Sequence, residues 1–185
     1  MIFRETALAG AWLVEPEPAA DARGFFARLV CAETFAARGL NGRFDQTSVS
    51  FNARAGTLRG LHLQRPPHAE TKLVRVTSGA VFDVIVDLRA GSSAYGRWFG
   101  VELSAANRLQ LYIPEGFAHG FQSLTDGAEV LYQIAPPFAP EAQDGVRWDD
   151  PGLAVAWPSP QTAIVSDRDR ALPPLAGFSP VEVPC

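Results

Sequence analysis

Thr71-Lys72-Leu73-Val74-Arg75-Val76, the turn at Ser78-Gly79, and Ala80-Val81-Phe82-Asp83-Val84-Ile85-Val86-Asp87-Leu88 read together as two strands joined by a tight turn. In the second, Phe82, Val84, Val86 and Leu88 occupy one face and Asp83 and Asp87 the other, the period of two that marks a strand. Working outward, residues 98–103, 108–113, 120–123 and 129–134 repeat this short form with turn residues between them. Strands recurring about every ten residues predict a sandwich, jelly roll or barrel. The one helix candidate, residues 32–38, is closed by Gly39 in a C-cap position. The Pro-rich tail, 172–185, reads as irregular chain on the surface. No repeat or linker divides the chain, which predicts a single mostly-β domain over residues 1–185.

The composition excludes several classes of function. A formal net charge of −4 lacks the basic excess of a nucleic-acid-binding surface. No apolar run approaches the length of a membrane-spanning helix, and Met1-Ile2-Phe3-Arg4-Glu5 has no signal-peptide pattern. Cys31 and Cys185 are too few for a disulfide scaffold, so a reducing, cytoplasmic location is expected.

Chemistry concentrates in two segments. In Gly56-Thr57-Leu58-Arg59-Gly60-Leu61-His62-Leu63-Gln64, Arg59 and His62 lie three residues apart in a β-like run. Side chains at that separation point to opposite faces unless the strand bends between them. Gly60 lies between them, and a glycine inside a strand marks a bulge or a close backbone approach. The bend would bring a cation and an imidazole into one cavity. A lone strand histidine is more often a hydrogen-bonded structural residue, so a catalytic reading needs support from elsewhere. In Pro114-Glu115-Gly116-Phe117-Ala118-His119-Gly120-Phe121, a proline and two glycines make a tight corner beside His119. This Pro-x-Gly-x-x-His pattern resembles the second motif of the cupins, small double-stranded β-helix barrels. Metal-binding cupins carry two histidines one residue apart in the first motif. Here that position reads His62-Leu63-Gln64, which falls short of the roughly three protein ligands a catalytic metal needs. A metal-free cupin without a cofactor is the expectation. Lys72 and Arg75 face opposite sides of an ideal strand; each reads first as a solvated surface cation, and the apolar Leu73 and Val74 beside Lys72 favour its pointing inward. On strand grounds alone Tyr132 reads as packing and Asp169 as a turn or cap residue.

Together these segments resemble the dTDP-4-dehydrorhamnose 3,5-epimerase family, a metal-free branch of the cupins. The resemblance rests on Asp21-Ala22-Arg23-Gly24-Phe25-Phe26, Gln46 to Ser50, Gly56 to Gln64, Lys72 to Val76, Pro114 to Phe121, Glu129 to Tyr132, Gly145-Val146-Arg147-Trp148-Asp149-Asp150-Pro151 and Ser166-Asp167-Arg168-Asp169. It implies a cupin-type jelly roll acting on a nucleotide-linked 4-keto-6-deoxyhexose. His62 would be the general base, oriented by Asp169. Lys72 would stabilise the enolate, and Tyr132 would return a proton from the opposite face. Arg59 would bind the diphosphate, and His119 would line the sugar pocket. Arg23 and Phe26 would be lent to a neighbouring subunit's nucleotide site, implying a homodimer.

The residue types suit that chemistry. A proton next to a ketone is removable when a preorganised donor meets the charge developing on oxygen. Histidine titrates in the right range to take it, and a carboxylate partner strengthens the base. Two departures from the family pattern stand out. Phe138 occupies a position where many members have a second tyrosine, which keeps an aromatic face and loses a hydroxyl. Around Gln46 the chain reads Gln-Thr-Ser-Val-Ser, where an asparagine is common two residues after the glutamine. The expectation is epimerisation at C3, C5 or both. Single-position epimerisation, ketoisomerisation and non-catalytic sugar-nucleotide binding are the alternatives.

Overall fold

The structure is a computed structural model and describes residues 1–183. In chain order the strands are β1 (Ile2–Glu5), β2 (Trp12–Glu15), β3 (Ala19–Asp21), β4 (Gly24–Phe26), β5 (Gln46–Asn52), β6 (Leu58–Gln64) and β7 (Thr71–Ser78). They continue with β8 (Ala80–Asp87), β9 (Trp98–Ser104), β10 (Gln110–Ile113), β11 (Phe117–Ser123), β12 (Ala128–Ala135) and β13 (Gln143–Gly145). Two short helices, α1 (Ala32–Ala36) and α2 (Asp167–Arg170), complete the architecture with two 3-10 turns.

Two antiparallel sheets carry the fold. One has six strands in the order β1-β2-β10-β7-β12-β5, and the other has five in the order β13-β6-β11-β8-β9. Val74, Val76, Leu111, Ile113 and Val130 of the first sheet pack with Val81, Ile85, Leu103, Phe117 and Phe121 of the second. Removing that apolar surface from water is the main force closing the sandwich. The fold is the expected cupin-type jelly roll.

The alternation in β8 is correctly a strand signal, yet neither of its faces is solvated. Val84, Val86 and Leu88 pack outward under the C-terminal chain, while Asp83 and Asp87 are fully buried. Asp87 is matched by a bidentate pair with Arg89 and a bond from Ser92. Buried carboxylates persist only with such partners.

Several boundaries move for local reasons. The helix ends at Ala36 rather than Arg38, and Gly39 takes a left-handed φ of 70° just beyond it. The strand expected from residue 108 starts at Gln110 because Arg108 has φ 57°. The tail is irregular, but it does not merely coat the surface. Phe178 and Val181 are buried against the five-stranded sheet, and the Val181 N–H donates to the Leu88 carbonyl. The last two residues of the expected tail, including Cys185, lie outside the described residues. Among the described residues, no helix is long and apolar enough to cross a membrane.

Candidate active site

The bend anticipated at Gly60 is present. His62 pairs with His119, and Arg59 pairs with Phe121, so three residues of β6 run against two of β11. That extra residue is a bulge, which re-aims the side chains on either side of it. Glycine is needed on both strands. Gly60 has φ 119°, and a β-carbon there would lie 2.6 Å from the Gly120 Cα; one at Gly120 would lie 2.6 Å from the Arg59 carbonyl oxygen. Arg59 and His62 consequently line the same cavity, of about 870 Å³, between the two sheets.

The bulge frees the Gly60 N–H from the ladder, and Asp169 takes it up. Asp169 Oδ2 accepts from Gly60 N–H at 3.0 Å, while Oδ1 lies 2.7 Å from His62 Nε2. Ser166 caps α2 by accepting the Asp169 N–H, which fixes the carboxylate's position. Burial opposes ionisation of Asp169. The bonds from His62 and Gly60 outweigh it and hold the carboxyl below its usual range. With Nε2 committed to a carboxylate, Nδ1 is the His62 nitrogen left to act as a base.

A second pair lies beside the first. His119 Nε2 is 3.0 Å from both oxygens of Asp83. The His119 ring meets the Tyr132 ring edge-on, with centroids 5.9 Å apart.

The six-stranded sheet supplies the opposite wall. In register across β7, β12 and β5, Lys72 pairs with Ile134 and Ile134 with Gln46; in the next row Val74 pairs with Tyr132 and Tyr132 with Ser48. Lys72, Tyr132, Gln46 and Ser48 all line the cavity. Burial, with the Asp83 carboxylate, pushes the Tyr132 hydroxyl well above its ordinary value, against a smaller opposing effect of Arg59. Tyr132 is therefore a protonated phenol at any working pH. Arg59 donates to Asn52 Oδ1 at 2.9 Å and to the Phe51 carbonyl, which pins its guanidinium at the cavity edge.

Other expected residues fall in distinct places. Phe138 lines the cavity mouth, and its N–H donates to Gln46 Oε1 at 2.8 Å. Arg23 and Phe26 do not line this chain's cavity; they project from the β3–β4 hairpin, where Phe26 is 74% exposed and Arg23 pairs with Asp21. Gln64, at the position of a metal cupin's second histidine, is buried and bonds the Ala139 N–H and the His68 carbonyl. Among the described residues, no group of three or more His, Cys, Asp or Glu is arranged to hold a metal ion.

Ser48 and Ser50, in the stretch after Gln46, also line the cavity, as do Glu70 and Arg168, which were not anticipated as site residues. The Ser50 hydroxyl is buried with no hydrogen-bond partner among the described residues. Asp83 was legible only as the polar phase of its strand. Composition also marks the site: Lys72 is the only lysine among the 16 lysine and arginine residues.

Comparison with known proteins agrees with this geometry. The family model described as dTDP-4-dehydrorhamnose 3,5-epimerase matches residues 5–177. The dTDP-4-dehydrorhamnose 3,5-epimerase of Methanothermobacter thermautotrophicus is 45% identical over 175 residues, covering 94% of both chains. The crystal structure of the enzyme of that name from Elizabethkingia anophelis superposes with a TM-score of 0.94 at 38% identity, covering 97% of this chain and 98% of the other. That of the dTDP-6-deoxy-D-glucose-3,5-epimerase from Legionella pneumophila, in complex with dTDP-4-keto-L-rhamnose, superposes with a TM-score of 0.92 at 35% identity, covering 100% and 99%. On sequence, fold and the residues gathered at the bulge, this chain belongs to the dTDP-4-dehydrorhamnose 3,5-epimerase family.

Proposed function

We propose that the protein is an isomerase that inverts C3 and C5 of dTDP-4-dehydro-6-deoxyglucose through enolates formed at the C4 ketone. One observation carries the reading: the base and the proton donor stand on opposite sheets of one cavity. His62 belongs to the five-stranded wall, Lys72 and Tyr132 to the six-stranded wall. A sugar ring held between them is open to His62 on one face and to Tyr132 on the other.

In each half-reaction His62 takes the proton from the carbon beside the ketone, and Asp169 stabilises the imidazolium that results. The electron pair moves onto the C4 oxygen, where the Lys72 ammonium donates to it. Tyr132 returns a proton from the other face, which inverts the carbon. Solvent then removes the proton from His62 and restores that of Tyr132. Because C3 and C5 both adjoin C4, one set of groups serves both carbons. Arg59 is suited to the diphosphate, since a guanidinium presents a planar fork to phosphate oxygens. His119 and Gln46 line the sugar subsite, with Phe138 at its mouth.

The partner is a second copy of the chain, with Arg23 and Phe26 reaching the neighbour's nucleotide site. The support is the exposed β3–β4 hairpin, which has no place in its own cavity. Light scattering after size exclusion should give twice the chain mass. The two cysteines of the sequence favour a cytoplasmic location.

The test is proton NMR of dTDP-4-keto-6-deoxyglucose incubated with the protein in deuterated water. Loss of both the C3 and C5 signals establishes the double epimerase. Phe138 favours a second reading, because it lacks the hydroxyl expected at the cavity mouth. Loss of one signal would establish a single-position epimerase, and loss of neither would overturn the assignment.

A further inference from the structure

A cation near a ketone explains Lys72, but it does not explain the carboxylate beside it. Glu70 Oε1 lies 2.8 Å from Lys72 Nζ, both side chains are less than a tenth exposed, and both residues line the cavity. An ammonium taken out of water loses stability relative to its neutral form unless a counter-charge meets it. A four-carbon stem also leaves the charge free to sample many rotamers. A fixed carboxylate removes both difficulties. Lysine carries three N–H donors, so one contact to Glu70 leaves others for an oxygen in the cavity.

The surroundings give Glu70 this task alone. The remaining charged or titratable groups lining the cavity are Arg59, His62, His119, Tyr132, Arg168 and Asp169. The one other carboxylate among them, Asp169, is committed to His62 and Gly60. Every other basic side-chain position of the Lys and Arg set is an arginine. A compact ammonium stands only where Glu70 can hold it.

We propose that Glu70 is a positioning residue for the epimerisation, holding the Lys72 ammonium in place and directed at the cavity. The proposal rests on the reading that Lys72 donates to the substrate's ketone oxygen. Glu70 itself meets neither the reacting carbons nor the protons they exchange.

The single lysine makes a direct test possible. Protein labelled with 15N at lysine Nζ should give one slowly exchanging ammonium cross-peak, absent from K72Q. In E70Q, which keeps the side chain's size and removes its charge, that cross-peak should broaden beyond detection, because the ammonium loses the carboxylate that holds it and slows its exchange. Turnover of dTDP-4-keto-6-deoxyglucose should fall at least tenfold in kcat with KM within threefold of wild type, in protein that circular dichroism shows to be folded at the assay temperature. A wild-type spectrum without the cross-peak would overturn the proposal. So would a kcat for E70Q equal to wild type, a loss of kcat with the cross-peak retained, or a rise in KM at constant kcat. Failure of the wild-type protein to exchange the substrate's C–H protons is a different result. It would refute the epimerase reading while the ammonium spectrum still reported on the Glu70–Lys72 pair.

Discussion

The two histidine–carboxylate pairs are neighbours in the same sheet, since His62 and His119 face each other across β6 and β11. They differ in what surrounds them. The His62 side chain is 27% exposed and its partner comes from α2, far along the sequence; the His119 side chain is 3% exposed and its partner comes from the adjacent strand β8. His62 has one nitrogen on Asp169 and the other available to a ligand in the cavity. His119 is held by both oxygens of a fully buried carboxylate and packed edge-on against Tyr132. Similar pairs thus support different roles. A base must reach solvent to release its proton, whereas a wall residue gains from being immobile.

The largest effect that would sharpen this contrast comes from the histidines themselves. Replacing His62 by alanine should slow exchange of the substrate's C–H protons by about 10³-fold, as loss of a general base does. His119→Asn should act mainly on KM and leave kcat within about tenfold, because wall residues contribute binding rather than proton transfer. Exchange in deuterated water measures both, and equal losses in kcat would erase the distinction.

Tyr132→Phe should come next. It keeps the ring against His119 and removes only the acid, so net inversion should drop by about 10²-fold. Washout of the C–H proton by His62 should persist. Comparing deuterium incorporation with product formation separates the two, and a parallel loss of washout would mean that Tyr132 takes part in proton abstraction.

Asp169→Asn replaces an acceptor by an amide that can no longer stabilise the imidazolium. A fall in kcat on the order of 10²-fold is expected, with KM little changed. Asp83→Asn should instead be read in stability. Leaving His119 without its charged acceptor costs about 1–3 kcal/mol, the usual penalty for a buried polar group that loses its partner. Thermal melting of the two variants side by side would test this; a larger melting loss in Asp169→Asn than in Asp83→Asn would reverse the comparison.

The smallest effect is on acid stability. The hydrogen bonds from His62 and Gly60 outweigh burial and depress the Asp169 carboxyl, and Arg89 and Ser92 do the same for Asp87. A carboxyl whose folded value lies below its unfolded value of about 3.9 stabilises the fold above that pH and loses the effect as pH falls through the folded value. Melting temperature should therefore decline below about pH 4. The decline should be shallower in Asp169→Asn, and an identical slope would show that Asp169 contributes nothing to it.

Much of this was legible before any coordinates, and for a physical reason. Strand alternation, turn residues and a glycine between Arg59 and His62 are local signals, and local sterics set them. The bulge at Gly60 is the clearest case, since the residue that permits it lies within the motif. Lys72 could be read as inward-facing from its apolar neighbours and its phase in the strand. The strands β1 to β4 and β13 left no signal, because three or four residues carry too little periodicity to stand out; β5 left none despite its seven residues, because it is mostly polar and its apolar Val49 and Phe51 are exposed.

By itself the sequence determined a mostly-β cupin-type chain and the family it belongs to, since strand alternation, turn residues and the motifs around Arg59, His62 and His119 are local patterns of residue type and spacing. Only the tertiary structure decided that Asp83 is the carboxylate held against His119, that Asp169 also takes up the Gly60 N–H, and that the tail's Phe178 and Val181 cover a sheet. Those outcomes depend on contacts between segments up to about a hundred residues apart, such as Gly60 with Asp169. Such contacts are set by how the two sheets close over one another, and no local pattern encodes them.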